Sequence, residues 1–197
     1  MSLPPDQSPH RIIDGLNRSL AGRCDQTLSL RPEEDGDRGV ARQIYADSRK
    51  DELAAVDWSD DQKQAFIEQQ FSAQRHHYRQ HYSGAHFLMV CRSGEPVGRL
   101  YLCLGREELR LMDIALLDGW RQQGLGRALL SAVIELAEAR SLDLTLHVEP
   151  GNPARLWYQR LGFQQVEQRG VYCFMRLPHA AMAACDLADG FQPKLIS

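Results

Sequence analysis

Apolar positions along the chain follow two rhythms. Short apolar or alternating runs predict strands at 27–30, 85–92, 97–104, 109–117, 142–148, 163–168 and 171–177. Three- and four-residue spacing predicts helices between them. Val40, Ile44 and Tyr45 share one face through about Arg49. Ile67, Phe71, Tyr78 and Tyr82 form the stripe of a long helix, with Ser59-Asp60-Asp61 supplying cap residues at its start. Leu129, Leu130, Val133, Ile134 and Ala137 mark a helix over 125–139, and a shorter one is expected over 154–161, closed by Gly162. Turn residues punctuate these elements at Ser83-Gly84, Ser93-Gly94-Glu95-Pro96, Gly105-Arg106 and Arg169-Gly170.

The order of elements predicts an α/β chain with a mixed sheet. Three successive strands form an antiparallel meander that ends at 109–117. A helix separates this last strand from 142–148, so those two should lie parallel through a right-handed crossover. Residues 1–25 are polar and read as an N-terminal extension outside the core, holding at most a short helix around Ile12 to Leu20. Residues 26–177 form the domain, and 178–197 a C-terminal tail, alanine-rich and then polar. That tail is free either to pack on the core or to exchange onto a second copy in a homodimer.

Composition narrows the classes. The 197 residues include 43% hydrophobic and 25% charged positions, ordinary for a globular domain with a full core. A formal net charge of −3 offers no footprint for nucleic acid or an anionic membrane, so an anionic ligand would need local positive charge. The cysteines, Cys24, Cys91, Cys103, Cys173 and Cys185, are widely spaced, odd in number and without a Cys-x-x-Cys pair. This speaks for a reducing compartment and against a disulfide framework or zinc site. The N-terminus has no basic start followed by an apolar run, and no stretch reads as a membrane span, so a cytoplasmic protein is expected.

The chemistry concentrates after the strand at 109–117, in Trp120-Arg121-Gln122-Gln123-Gly124-Leu125-Gly126-Arg127. Here a strand passes through a glycine-containing turn into a helix. A helix start leaves backbone N–H groups unpaired and carries the positive end of the dipole. Glycine lets that backbone approach a ligand, and Arg121 and Arg127 add full charges, which makes a place for phosphate oxygens. Leu129 stands where the dinucleotide fingerprint needs its third glycine, and Leu125 where the Walker loop needs lysine, so neither common nucleotide loop fits. Read alone, the segment is also compatible with an ordinary strand-to-helix turn.

The segment resembles the Arg/Gln-x-x-Gly-x-Gly/Ala loop of the GNAT acetyltransferase superfamily. A second segment, Asn152-Pro-Ala-Arg-Leu-Trp-Tyr158-Gln-Arg-Leu-Gly162-Phe163, resembles that family's Asn … Leu/Tyr … Leu-Gly-Phe pattern and follows the next strand, as it does there. Element order matches over 27–177, with motif quality over 85–163. The resemblance implies an acyl-CoA N-acyltransferase fold, an antiparallel meander plus a splayed parallel strand pair, with acetyl-CoA as cosubstrate and no metal. It implies that Ile114 and Leu116 pair with the pantetheine arm. Arg121, Gln122, Gln123, Gly124, Leu125, Gly126 and Arg127 would hold the pyrophosphate, Asn152 would line the pantetheine side, and Tyr158 would reach the sulfur as the catalytic acid.

The residue types suit transfer of an acetyl group to a primary amine of a small molecule or protein. An alkyl ammonium has a pKa of about 10.4 and must lose its proton to attack, so a base or a desolvating pocket is needed. Tyr158, of ordinary pKa about 10, can protonate the leaving thiolate, whose own pKa of about 8.5 makes that help useful rather than indispensable. Candidates for the base are Asp113, His147, Glu149, Glu52 and His81. Gln70, Gln74, His77 and His81 recur along the long helix, either as the polar shoulder of an amphipathic helix or as a wall of the acceptor pocket. His77 and His81 have metal-ligand spacing but lack a third ligand at motif spacing. Arg49-Lys50-Asp51-Glu52 reads as a solvated charge cluster. Two rivals stay open: a non-catalytic acyl-CoA-binding sensor, and a protein-interaction module acting through its tails.

Overall fold

A computed structural model of the protein describes residues 9–23 and 27–182. Within them, six helices and seven strands follow one another: α1 (Pro9–Ala21), β1 (Leu28–Pro32), α2 (Arg38–Ala54), α3 (Asp60–His81), β2 (Ala85–Arg92), β3 (Glu95–Leu104), β4 (Glu108–Leu116), α4 (Leu125–Ala139), β5 (Asp143–Val148), α5 (Ala154–Arg160), β6 (Gln164–Arg169), β7 (Tyr172–Leu177) and α6 (His179–Met182). The strands form one mixed sheet in the order β1-β2-β3-β4-β5-β7-β6. Every neighbouring pair is antiparallel except β4 and β5, which are parallel as the intervening helix requires.

Alternation along the strands loads both faces. Leu88, Val90, Leu100, Leu102, Ile114 and Leu116 face a large core that α1 and α4 cover. Their neighbours Met89, Cys91 and Ala115 face the opposite side, where Ile44 of α2 packs on them, and α3 closes over α2 through Ile67 and Phe71 against Tyr45. Helix α3 begins with a capping box in which the Ser59 hydroxyl accepts from the Gln62 N–H. No helix among the described residues is long and apolar enough to cross a membrane.

One expectation needs correction, and a second holds except at one residue. The N-terminal stretch does not lie outside the core: α1 runs from Pro9 to Ala21, and Ile12, Leu16 and Leu20 are almost fully buried in the main core. These residues recur every four positions, so one face of an outwardly polar helix is apolar and docks on the sheet and α4. Asn17 fixes it further, donating from Nδ2 to the Leu30 carbonyl at 3.0 Å and accepting the Leu30 N–H at 2.7 Å. The 49–52 cluster is solvated at Lys50, Asp51 and Glu52 but not at Arg49. The Arg49 side chain is only 17% exposed, paired with Glu52, while Lys50 reaches Asp118 at 2.8 Å. Of the C-terminal tail, α6 packs into the main core through Met182, and the question of exchange onto a second copy lies with residues outside those described.

Candidate active site

The sheet opens between its parallel strands. Pairing runs from Glu108 with Asp143 to Leu111 with Leu146 and stops there, although β4 continues to Leu116 and β5 to Val148. A bulge marks the parting: Tyr101 faces Asp113 and Leu102 faces Leu111, which leaves Met112 as the extra residue of β4. Beyond it β4 stays on β3, and the Leu117 N–H reaches the Val97 carbonyl at 2.9 Å. By alternation, the backbone groups of Leu116 and Ile114 turn the other way, into the gap. The Leu116 carbonyl is already met there by Nε of Arg121 at 3.1 Å. Arg121, expected among the phosphate ligands, thus braces the loop against β4, with a second contact to Asp118 at 3.3 Å.

The gap leads to the N-terminus of α4. Gly124 is its cap residue at φ 79°, a left-handed conformation that costs glycine nothing, and Gln122 shares it at φ 59°. A Cβ added at Gly124 would meet nothing within 4 Å, so the loop backbone stands open on that side. Gln123 holds the turn by donating from Nε2 to the Gly119 carbonyl at 2.9 Å. Leu125, Gly126 and Arg127 form the first helical turn, with their N–H groups at the positive end of α4. A cleft of ≈ 590 Å³ lies over this turn, walled by Arg23, Arg92, Gln123, Gly124, Arg127 and Ser131. Gly124 thus provides a cradle that a side chain would fill, and the cleft suits a diphosphate.

On the far side of the gap, Asn152 stands just before the start of α5, and its Oδ1 accepts the Ala154 N–H at 2.9 Å. Six residues beyond Asn152, Tyr158 is fully buried, wedged between the rings of Trp157 and Phe163 at 5.5 Å each. Its hydroxyl has no hydrogen-bond partner among the described residues. Burial and the Asp113 carboxylate push its pKa up, which keeps it protonated and able to donate. A buried hydroxyl without a partner is costly, and such groups gather where a ligand completes them.

A second cavity, of ≈ 530 Å³, opens on the opposite face under α3. Gln70, Gln74 and His77 stand in its wall, so these positions form more than a solvated shoulder, whereas His81 stacks on His77 at 4.4 Å outside it. Tyr78 lines it as well and donates its hydroxyl to the Met112 carbonyl at the bulge, 3.4 Å away. Of the base candidates, only His147 reaches this wall. Burial and the guanidinium groups of Arg110 and Arg169 lower its pKa, so its imidazole is neutral at pH 7 and can accept a proton. Asp113 is instead fully buried, gripped by Arg99 at 2.6 Å. Glu52 lies 3.0 Å and Glu149 3.8 Å from Arg49.

The family model described as the Acetyltransferase (GNAT) family matches residues 39–163. The chain belongs to the GNAT acetyltransferase family. Solved structures agree on the fold. The PaiA N-acetyltransferase from Thermoplasma acidophilum, solved in complex with coenzyme A, superposes with a TM-score of 0.59 at 16% identity, covering 77% of this chain and 98% of that one. An acetyltransferase from Thermus thermophilus gives 0.56 at 21%, with 77% and 97% covered. The ribosomal-protein-S18-alanine N-acetyltransferase from Escherichia coli gives 0.52 at 24%, with 77% and 93% covered. Membership implies acyl-CoA-dependent acetyl transfer.

For a GNAT chain, the structure adds residues that sequence reasoning passed over. Arg23 and Arg92 enter the cleft over α4 from the end of α1 and from β2, far from the loop in sequence. Tyr45, Arg49, Arg110, Arg169 and Tyr172 enter the cavity under α3. One signal stands in the sequence: Arg110 and Asp113 are charges within the apolar run 109–117, and Arg99 is another on β3. A charge in a buried strand needs a partner or a task. Among the described residues, no group of three or more His, Cys, Asp or Glu side chains could hold a metal ion.

Proposed function

We propose that this chain transfers an acetyl group from acetyl-CoA directly to a primary amine. The observation that carries this is the end of β4–β5 pairing at Leu111 and Leu146. It leaves β4 unpaired on that side beyond Leu111, with a glycine-capped helix start following β4 and a His147-lined cavity beside Leu111 and Met112. The thioester supplies an activated acyl carbonyl; the protein's residues do the rest.

The N–H groups of Gly124 to Arg127 hold the diphosphate, and Arg23, Arg92 and Arg127 add charge around it. Ile114 and the Leu116 N–H pair with the pantetheine arm as a further strand would, and Asn152 frames the other side. Backbone N–H groups at the Met112 bulge are suitable donors to the negative charge that develops on the carbonyl oxygen. His147 accepts the proton of the attacking amine, directly or through water. Tyr158 gives its proton to the departing sulfur.

Calorimetric titration with acetyl-CoA, followed by a thiol-release assay over a set of amines, tests this reading. Saturable binding and amine-dependent release of free thiol are expected. Tight binding with no turnover for any amine would favour the sensor alternative, and absence of binding would overturn the coenzyme assignment.

A further inference from the structure

We propose that the cavity under α3 accepts an amine carrying its own anionic group, a carboxylate or phosphate, next to an aromatic or alkyl body; this rests on the acetyl-transfer reading above. Three guanidinium groups, those of Arg49, Arg110 and Arg169, stand in the wall. Among the described residues that line it, none is aspartate or glutamate. Their carboxylate partners sit outside the wall: Glu52 and Glu149 for Arg49, Glu108 for Arg110, Glu167 for Arg169. Each arginine is thus backed by a carboxylate while contributing a cation to the cavity lining.

Behind the wall, Arg99 and Asp113 form a buried pair. Arg99 is fully buried, and it donates from Nη2 to Oε1 of the wall residue Gln74 at 3.2 Å. Its Nε and Nη1 have no hydrogen-bond partner among the described residues, and only one oxygen of Asp113 is engaged. The pKa of His147 is lowered first by burial and then by Arg110 and Arg169, with Glu108 and Glu167 acting against them. A diamine, polyamine or lysine side chain would bring cations to a lining that holds three arginines and no carboxylate. An acceptor with an anion of its own gains charge-assisted hydrogen bonds to guanidinium, the geometry arginine provides best. Its ammonium also loses a proton more readily beside these cations, which leaves less for His147 to do.

Two arginines are held in place for this task. Arg169 lies over Phe174, its guanidinium carbon 3.9 Å from the ring centroid, and Phe174 packs in turn on His147 at 5.1 Å. Arg110 lies over Tyr82 at 5.9 Å. Tyr45, Tyr78, Tyr82 and Tyr172 supply the cavity's aromatic surface, suited to a ring or an alkyl chain.

The test uses the full chain with acetyl-CoA and matched acceptors. One arm pairs α-amino acids, phenylalanine and tyrosine included, with their decarboxylated amines; the other pairs O-phosphoethanolamine with ethanolamine. In at least one arm, the anionic member is expected to show kcat/KM roughly tenfold or more above its partner. The arm that shows it identifies the anion as carboxylate or phosphate. Arg169→Gln should raise KM for that acceptor about tenfold with kcat little changed, and Arg169→Lys should recover part of the loss. A residue that merely supported the fold would not separate KM from kcat in this way. Equal rates within both pairs, faster transfer to spermidine, or an unchanged KM in Arg169→Gln would each overturn the proposal. Saturation-transfer NMR with the same amines and coenzyme-free protein probes the cavity apart from turnover. Contact with the anionic members alone supports the proposal, and contact with neither member overturns it. Failure to bind acetyl-CoA in calorimetry would instead remove the acetyl-transfer reading.

Discussion

Of the two clefts, the one over α4 is centred on a backbone turn, the one under α3 on side chains. The cleft over α4 depends on a turn whose dihedral angles bring a helix start into the open, with Gly124 at φ 79° as its pivot. The cavity under α3 depends on residues from α2, α3, β4, β5, β6 and β7 converging on one space. The difference suits the two ligands of a GNAT enzyme. A coenzyme shared by the family can be held by amides, which every sequence carries. An acceptor that differs between members must be told apart by side chains, which mutate freely. The first cleft should therefore fail at one glycine, whereas the second should fail gradually, residue by residue.

The largest expected effect tests that asymmetry. Gly124→Val places a β-branched residue at a left-handed position and fills the open side of the loop. Losing two charge-assisted bonds at about 1.5–3 kcal/mol each should weaken acetyl-CoA binding by at least about a hundredfold. Calorimetry reads the loss, and circular dichroism checks that the fold persists. An affinity within threefold of the parent would mean that the amides are not the grip.

Tyr158→Phe comes next, at a fully buried position in the lining of neither cleft. Turnover should fall roughly ten- to a hundredfold while the acetyl-CoA Kd stays within about twofold. Because the hydroxyl is buried without a partner among the described residues, removing it should leave Tm unchanged or slightly raised. A drop in Tm together with a large loss of affinity would assign Tyr158 to the core instead.

His147→Gln sharpens the comparison by pH. The imidazole must be neutral to accept a proton, so activity should rise as pH climbs through its pKa, which lies below the ordinary 6.5. The variant should lose that acidic limb of the kcat/KM profile and roughly tenfold or more in rate at pH 7, with coenzyme binding intact. A retained limb would mean that another group or solvent takes the proton. The smallest effect belongs to Arg23→Gln. This side chain lies at the edge of the cleft over α4 and already bonds Glu135, so a weakening of about two- to fivefold, greatest at low salt, is expected.

Legibility in sequence divides along the same line. The loop, α4 and the parallel pair can be read because each is local: a turn chemistry, an apolar period, a helix between two strands. Asn152 and Tyr158 come from a motif that sits on one short helix. Helix α1 is easily misjudged because its apolar stripe, Ile12, Leu16 and Leu20, is threaded through Arg11, Asp14 and Arg18, and gains meaning only once α4 offers a face to dock on. The cavity under α3 is illegible for a stronger reason. Tyr45 and Tyr172 lie far apart in the chain, and only the bulge at Met112 and the parting of β4 from β5 bring such distant residues to one space. Even so, Arg99, Arg110 and Asp113 signal that an apolar strand pair is hiding charge.

The central claim is that the gap between β4 and β5 is the coenzyme's bed. A crystal structure of the protein grown with coenzyme A tests it most directly. The account predicts diphosphate oxygens within hydrogen-bonding distance of the N–H groups from Gly124 to Arg127, the pantetheine arm alongside Ile114, and the sulfur beside the Tyr158 hydroxyl. Coenzyme density at any other mouth of the molecule, or with the sulfur turned away from Tyr158, would contradict it.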